Sequence, residues 1–203
     1  VNTTPYQQEI KQIVLPDLVQ KLVASSDYWS RREQIKAHNS SKPRWRKGIS
    51  LNPVKFGISF TATHLNQAGA LVHIFTDGSV EVNHGGTEMG QGLYTKVQGI
   101  VASALGIKMT QVLNTASRTD KVPNASPTAA SSAADVNGMA ALDACERIKA
   151  RLGIFAQQQL GWGDSLVFSK GTGGSAGNPD QSLPFAEFVH KACMGRVSLS
   201  EKG

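Results

Sequence analysis

The sequence is poor in several features that would classify it at once. Only two cysteines, Cys145 and Cys193, occur in its 203 residues. That excludes a disulfide framework and any cysteine-based metal pattern, and predicts two small buried hydrophobes in a reducing, cytoplasmic setting. Charged residues make up 18% against 40% apolar ones, which excludes disorder as a description of the whole chain. The longest apolar run, over residues 100–105, is broken by Ser103 and falls far short of the roughly 20 residues a bilayer span needs. No membrane partner is therefore expected. GxGxxG, GxxxxGK[ST] and HExxH patterns are all missing, and no nucleophile elbow is expected. The five histidines (His38, His64, His73, His84 and His190) show no paired-ligand spacing, so no side chain is expected to bind a metal directly.

The net formal charge of +6 is unevenly spread, because the first fifty residues hold nine Lys/Arg against four Asp/Glu. Lys42, Arg44, Arg46 and Lys47 surround Trp45. Such a cluster suits nucleic acid, but four charges and one aromatic fit a solvated or subunit-facing surface better, and no nucleic-acid partner is expected. The chain opens VNTTPYQQEI and closes SLSEKG, which reads as a piece of a longer protein without a secretory signal.

Periodicity predicts an α+β fold: a helical lead-in over 1–43, a core over 44–160 and a terminal segment over 161–203. Ile10, Ile13, Val14, Leu18 and Leu22 predict a helix over 4–24, kinked at Pro16. A second helix is predicted from Ser26, or from Ser30 by the capping box to Glu33, to about His38. Ile49, Leu51, Val54, Phe56, Ile58 and Phe60 alternate as one or two strands broken at Pro53. A hairpin over 70–83 turns at Asp77-Gly78. Residues 93–105 read as a helix stopped by Gly106, and Val112-Leu-Asn-Thr as a short strand before a loop at Val122-Pro-Asn124. Ser126-Pro127 opens a helix to about Leu160, with a break expected at Gly138 or Gly153. Residues 161–182 read as a glycine-rich loop, followed by a helix over 184–192 and a strand over 197–200. The expected picture is antiparallel strands with helices packed on the sheet.

Two segments offer a ligand somewhere to lie. His84-Gly-Gly-Thr-Glu-Met-Gly-Gln-Gly92 puts four glycines among nine residues at a strand-to-helix passage. Its backbone can approach a bulky ligand, and the opening turn of the helix offers N–H groups to an anion. Gln91 adds an amide able to read a heterocycle edge. Ser126-Pro-Thr-Ala-Ala-Ser-Ser-Ala-Ala134 is made of small and turn-forming residues. A tight turn and close helix packing would explain the two segments without a ligand; converged, they would cradle a large anionic cofactor. Glu88 and Asp135 are acid/base candidates, but capping or solvation accounts for both.

Five blocks, Lys55-Phe-Gly-Ile-Ser-Phe60, Leu65-Asn-Gln-Ala-Gly69, Thr76-Asp-Gly-Ser79, His84 to Gly92 and Ser126-Pro-Thr-Ala-Ala-Ser131, occur in one order and spacing. That series resembles the molybdenum-cofactor-binding portion of the xanthine dehydrogenases, in the molybdenum hydroxylase family. The resemblance is strongest over 45–150 and nearest to the separate molybdenum-binding subunit of bacterial members, a fused chain being the alternative. It implies a molybdopterin cofactor at which hypoxanthine and xanthine are hydroxylated with water-derived oxygen, electrons leaving through Fe–S clusters and FAD to NAD. It implies that Met89, Gly90, Gln91, Ser131 and Ser132 touch the cofactor. Phe60 would stack on the purine, Thr61 would contact its edge, and Ala129 and Ala130 would line the space between purine and metal. Ala133 departs from the family's frequent serine. The family's general-base glutamate and its purine-orienting glutamate and arginine match nothing in this chain, and Glu146 stands in no matching motif. The chain by itself is therefore expected to be inactive, with an Fe–S/FAD-bearing subunit or domain as partner in an oligomeric enzyme. Related hydroxylases of aldehydes or other N-heterocycles are the alternative reading.

Overall fold

A computed structural model describes residues 2–5, 7–54, 56–58, 60–122 and 125–203. Tyr6, within the predicted first helix, Lys55 and Ser59, within the predicted strands, and Pro123 and Asn124 of the predicted loop lie outside them. The fold is α+β, in two compact units, Val1–Phe56 and Gly57–Gly203.

In the first unit, α1 (Leu15–Ser25) and α2 (Tyr28–Ser40) pack on each other. The predicted helix over 4–24 is thus shorter than its periodicity. Pro16 starts α1 rather than kinking it, since its missing N–H is harmless in a first turn. Before it lies an isolated antiparallel bridge between Thr3 and Glu9. Helix α2 begins at Tyr28, so the capping box at Ser30 does not form, and the Ser30 hydroxyl instead accepts from Gln34 Nε2 at 3.3 Å. In the basic cluster, the Arg44 guanidinium lies 5.8 Å from the Trp45 ring centroid. The predicted strands over 44–60 are not present among the described residues, and Val54 and Ile58 are 83% and 63% exposed. Alternation alone does not make a strand, because each rung needs a partner's hydrogen bonds.

The second unit is built on a four-stranded sheet ordered β3-β2-β1-β7. Strands β1 (Ala70–Ile74) and β2 (Val80–His84) form the predicted hairpin, turned at Gly78, whose φ is +83°. Strand β3 (Val112–Asn114) joins β2 in parallel, a correction to the all-antiparallel expectation. Strand β7 (Ser200–Lys202) pairs antiparallel with β1, three residues later than predicted. Ala70, Val72, Ile74, Val80 and Val82 are buried on one face. Against that layer lie α3 (Leu93–Ala104) and α4 (Ala133–Leu160), through Val97, Val101, Ala141, Ile148 and Leu152.

Helix α4 starts at Ala133, not at Ser126, and runs unbroken for 28 residues. Gly138 is no break. A β-carbon there would lie 2.5 Å from Ile100 Cδ1, so the glycine lets α3 and α4 pack closely. The glycine-rich loop predicted over 161–182 is instead largely a second antiparallel sheet of β4 (Leu166–Ser169), β5 (Thr172–Ser175) and β6 (Asn178–Pro184). Gly173 belongs in a strand because the Phe168 ring covers it, and a β-carbon would come within 2.8 Å of that ring. Helix α5 (Phe185–Met194) closes this sheet through Phe185 and Phe188, the latter stacked on Trp162 at 5.5 Å. No helix among the described residues is long and apolar enough to cross a membrane.

Candidate functional site

The two small-residue segments meet. The Thr87 N–H donates to Thr128 Oγ1 at 2.7 Å, joining the loop before α3 to the loop before α4. Behind this contact the walls touch directly. A β-carbon on Gly85 would collide with that of Ala125, and one on Gly86 would lie 2.6 Å from Leu93 Cδ2 and 2.9 Å from Asn137 Nδ2. The convergence that the sequence leaves open is therefore built on Gly85 against Ala125, beside the Thr87–Thr128 bond.

Two adjoining hollows result. One, of about 400 Å³, is lined by Met89, Gln91, Leu93, Lys96, Ser131 and Ala134 on its distinct walls. The other, of about 220 Å³, has Phe60, Leu65, Asn66, Ser132, Val136 and Asn137 among its lining residues. Thr128, Ala129, Ala130 and Ala133 line both. Of the residues singled out in the sequence, Met89, Gln91 and Ser131 thus share the larger hollow, and Phe60 and Ser132 the smaller, with Ala129 and Ala130 between them. Gly90 is exposed in the loop beside the larger hollow, and Thr61 is exposed next to Phe60 without lining either. Among the described residues, the smaller hollow has no charged side chain in its lining.

Each wall is pinned by polar contacts. Ser126, expected as a helix cap, bridges two segments instead. Its hydroxyl accepts from the Gln67 N–H at 3.0 Å and donates to the Leu65 carbonyl, while its own N–H donates to the Gln67 carbonyl at 2.8 Å. Asn66 Nδ2 donates to the Phe60 carbonyl at 2.9 Å. Together these bonds hold the Phe60–Gln67 segment against the small-residue loop. That loop is tightly wound, with Ala130 and Ser131 at φ +52° and +53°, a left-handed conformation rare for residues bearing a side chain. Sequence reasoning missed these turns because neither residue is a glycine or asparagine.

Beneath the first loop sits His84, fully buried. The Gly86 N–H donates to its Nδ1 at 3.1 Å, and Asn114 Nδ2 lies 3.0 Å from Nε2. Burial pushes the imidazole below its ordinary range, against a smaller opposing pull from Glu88. Tyr94 packs edge-on to the ring at 5.2 Å, and Ser117 Oγ donates to the carbonyls of His84 and Gly86 at 2.8 and 2.6 Å. Sequence reasoning singled out none of Asn114, Ser117 and Asn137; their roles arise from contacts 30 or more positions away in the chain.

The N-terminus of α3 is not open to an anion, contrary to the sequence expectation. Glu88 occupies it: Oε1 accepts from the Gly90 and Gly92 N–H groups at 2.8 and 3.0 Å, and Oε2 from that of Tyr94 at 2.9 Å. These bonds, Tyr94's foremost, hold the carboxyl below its usual range. Glu88 is therefore a cap, not an acid/base group. By contrast, Ser132 provides no side-chain cap for α4, whose first turn contributes Ala133 and Ala134 to the larger hollow. The N–H groups of such a turn have no intrahelical partner and suit an anion. Among the described residues, no three His, Cys, Asp or Glu side chains cluster as a metal site.

Comparison with known proteins gives this geometry a relative. A family model described as a molybdopterin cofactor-binding domain matches residues 21–203. Xanthine dehydrogenase of Calliphora vicina is 43% identical over 201 residues, 98% of this chain and 13% of that protein. Xanthine dehydrogenase 2 of Arabidopsis thaliana is 51% identical over 150 residues, 73% of this chain and 11% of that protein. The chain therefore spans a small part of the curated relatives it matches. Among solved structures, a Cu,Mo-CO dehydrogenase shares the fold with a TM-score of 0.71 and 22% identity, over 99% of this chain and 27% of its own. Quinoline 2-oxidoreductase from Pseudomonas putida 86 does so with a TM-score of 0.64 and 20% identity, over the same shares.

Proposed function

The chain belongs to the molybdopterin cofactor-binding domain family, and from that premise we propose that its two hollows serve a xanthine dehydrogenase, the larger for molybdopterin and the smaller for a purine. The observation that carries this reading is the shared wall. Ala129 and Ala130, with Thr128 and Ala133, line both spaces, so a ring in one lies beside a cofactor in the other across a wall of small side chains.

The residues present fit the cofactor. A pterin needs amide and hydroxyl partners, an anion site and a backbone that can come close. Gln91, Ser131 and the uncapped start of α4 supply the first two. Gly90 and Gly92, at φ +93° and +80° with open space where a β-carbon would stand, supply the third. Met89, Gln91 and Ser131, with Gly90 beside them, would hold the group, whereas Ser132, which the resemblance also implies, lines the smaller hollow. When bound, it supplies the two-electron redox chemistry of hydroxylation.

What this chain contributes is placement. Phe60, at the rim of the smaller hollow and 45% exposed, offers its face to a planar ring. Thr61, next to it, lines neither hollow, and a contact from its hydroxyl to the ring edge rests on the resemblance alone. Ala129 and Ala130 bound the ring on the cofactor side and leave it room to lie flat. Fe–S clusters and FAD, the general base, and the groups that orient the purine belong to the remaining length of the enzyme, in a cytoplasmic oligomer. This chain alone therefore does not turn over substrate.

A second reading, an aldehyde or N-heterocycle hydroxylase, is favoured by one feature: among the described residues, no charged side chain in the smaller hollow selects a purine over another planar ring. Steady-state rates of the full-length protein with xanthine and with an aromatic aldehyde separate the two. The proposal expects xanthine to give the higher kcat/KM. A preference for the aldehyde would overturn it in favour of the second reading, and hypoxanthine oxidation by the isolated chain would overturn the assignment of the base to absent sequence.

A further inference from the structure

The loop between Thr87 and Tyr94 is fixed by two of its own side chains. Glu88 takes the N–H groups of Gly90, Gly92 and Tyr94. Gln91 Oε1 takes that of Met89 at 2.6 Å, while Gln91 Nε2 donates to the Thr87 carbonyl at 2.9 Å. The ends are anchored independently, by the Thr87–Thr128 bond on one side and by buried Leu93 on the other. Between these anchors stand two glycines, the residues whose backbone is least restricted. Without internal bonds the span 89–92 would sample many shapes between fixed ends.

We propose that Glu88 is a positioning residue for molybdopterin: its carboxylate presets the backbone of residues 89–92 without itself touching the cofactor. The inference rests on the molybdopterin reading of the larger hollow. Met89 and Gln91, on either side of Gly90, line that hollow, whereas Glu88 lines neither hollow and turns its oxygens towards the start of α3. The bonds are charge-assisted and need no ligand, so the loop waits in its binding shape and less order must be gained when the cofactor arrives. A glutamine would keep one acceptor oxygen, but its NH₂ would face a backbone N–H, donor against donor.

The test uses the full-length protein with Glu88→Gln, with Asp77→Asn as a control. Asp77 Oδ1 accepts from Ser79 N and Oγ at 2.9 and 2.6 Å, a comparable turn bond in the hairpin away from both hollows. Two quantities are measured: amide hydrogen exchange at Gly90, Gly92 and Tyr94, and the rate at which bound pterin is released on dilution. In the Glu88→Gln protein, both are expected to rise roughly tenfold, the factor expected for losing a hydrogen bond to a charged group. The Asp77→Asn protein should release pterin at the parental rate. Unchanged pterin release from Glu88→Gln overturns the proposal, as does equal acceleration in the control, which would mark a general loss of stability. A parent protein that holds no pterin overturns the molybdopterin reading and the proposal with it. Should Glu88→Gln fail to accumulate, Glu88→Asp, which keeps the charge but retracts the oxygens by one methylene, is read by the same criteria.

Discussion

Gly85→Ala tests whether the two loops must touch for the cradle to exist. A β-carbon at Gly85 would stand under 3.0 Å from Ala125 Cβ, which is attached to backbone and cannot swing aside. Carbon atoms settle at about 3.5–4.0 Å, so the Ala125 segment must retreat by at least about 0.5–1 Å. Overpacking of this kind costs about 1–3 kcal/mol, and in a chain of this size each kcal/mol lowers the thermal midpoint by roughly 2–4 °C. A fall of roughly 2–12 °C is therefore expected. The displacement carries Ser126 and Thr128 with it, straining the Ser126–Gln67 and Thr87–Thr128 bonds, so pterin retention in the full-length protein should fall as well. The decisive control is Gly85→Ala combined with Ala125→Gly. With that methyl gone, the nearest Ala125 atom is Cα at 3.6 Å, an ordinary contact. The double variant should recover most of the lost midpoint, a favourable coupling typical of residues in contact. A parental midpoint in the single variant, or no recovery in the double, would refute the claim that this crossing holds the walls at their separation.

Other consequences follow from the same geometry. His84 is held neutral by burial, so its folded pKa lies below its unfolded value of about 6.5; stability is full above that pH and lost as the pH falls below it. Glu81, Glu88 and Glu201 are shifted downward from 4.5, so their contributions fade only below that value, and the urea midpoint between pH 6.5 and 4.5 isolates the histidine. A His84→Gln chain should show a flatter dependence in that interval; an unchanged slope would count against the assignment. Cys145 is buried, its thiol pushed up to about 12, whereas Cys193 is half-buried, so a thiol reagent should modify Cys193 in the native chain and Cys145 only on unfolding. Gly106→Ala should destabilise the chain by more than about 1 kcal/mol in urea unfolding, because φ is +62° and a β-carbon would lie 2.6 Å from the Phe168 carbonyl oxygen.

Local signals carried the elements whose partners are close in the chain. The hairpin, with Gly78 at its turn, and α3, stopped by Gly106, lie almost where their periodicity and glycines place them. Misreadings arose where a distant contact outweighed a local preference. Ser126 carries a cap signal, yet spends its hydroxyl on Leu65 and Gln67, some sixty positions away. Gly173 and Gly174 look like loop residues because their sequence does not reveal the Phe168 ring or the β6 backbone that covers them. The alternation over 49–58 is plain, but no described residue pairs with it. The site shows the same division. The two small-residue segments and a capping role for Glu88 are legible in the sequence, whereas the convergence of those segments and the left-handed turns at Ala130 and Ser131 depend on three-dimensional neighbours.

The most direct test of the central claim is the molybdenum and pterin content of the full-length protein, expressed in a molybdenum-proficient host, with and without Ala129→Trp. Ala129 lines both hollows, and an indole there fills the space that the cofactor and the ring are proposed to share. The account predicts a parent that carries molybdenum and pterin in equal amounts and a folded variant that has lost both. A variant that retains them at the parental level, or a parent that carries neither, would contradict it.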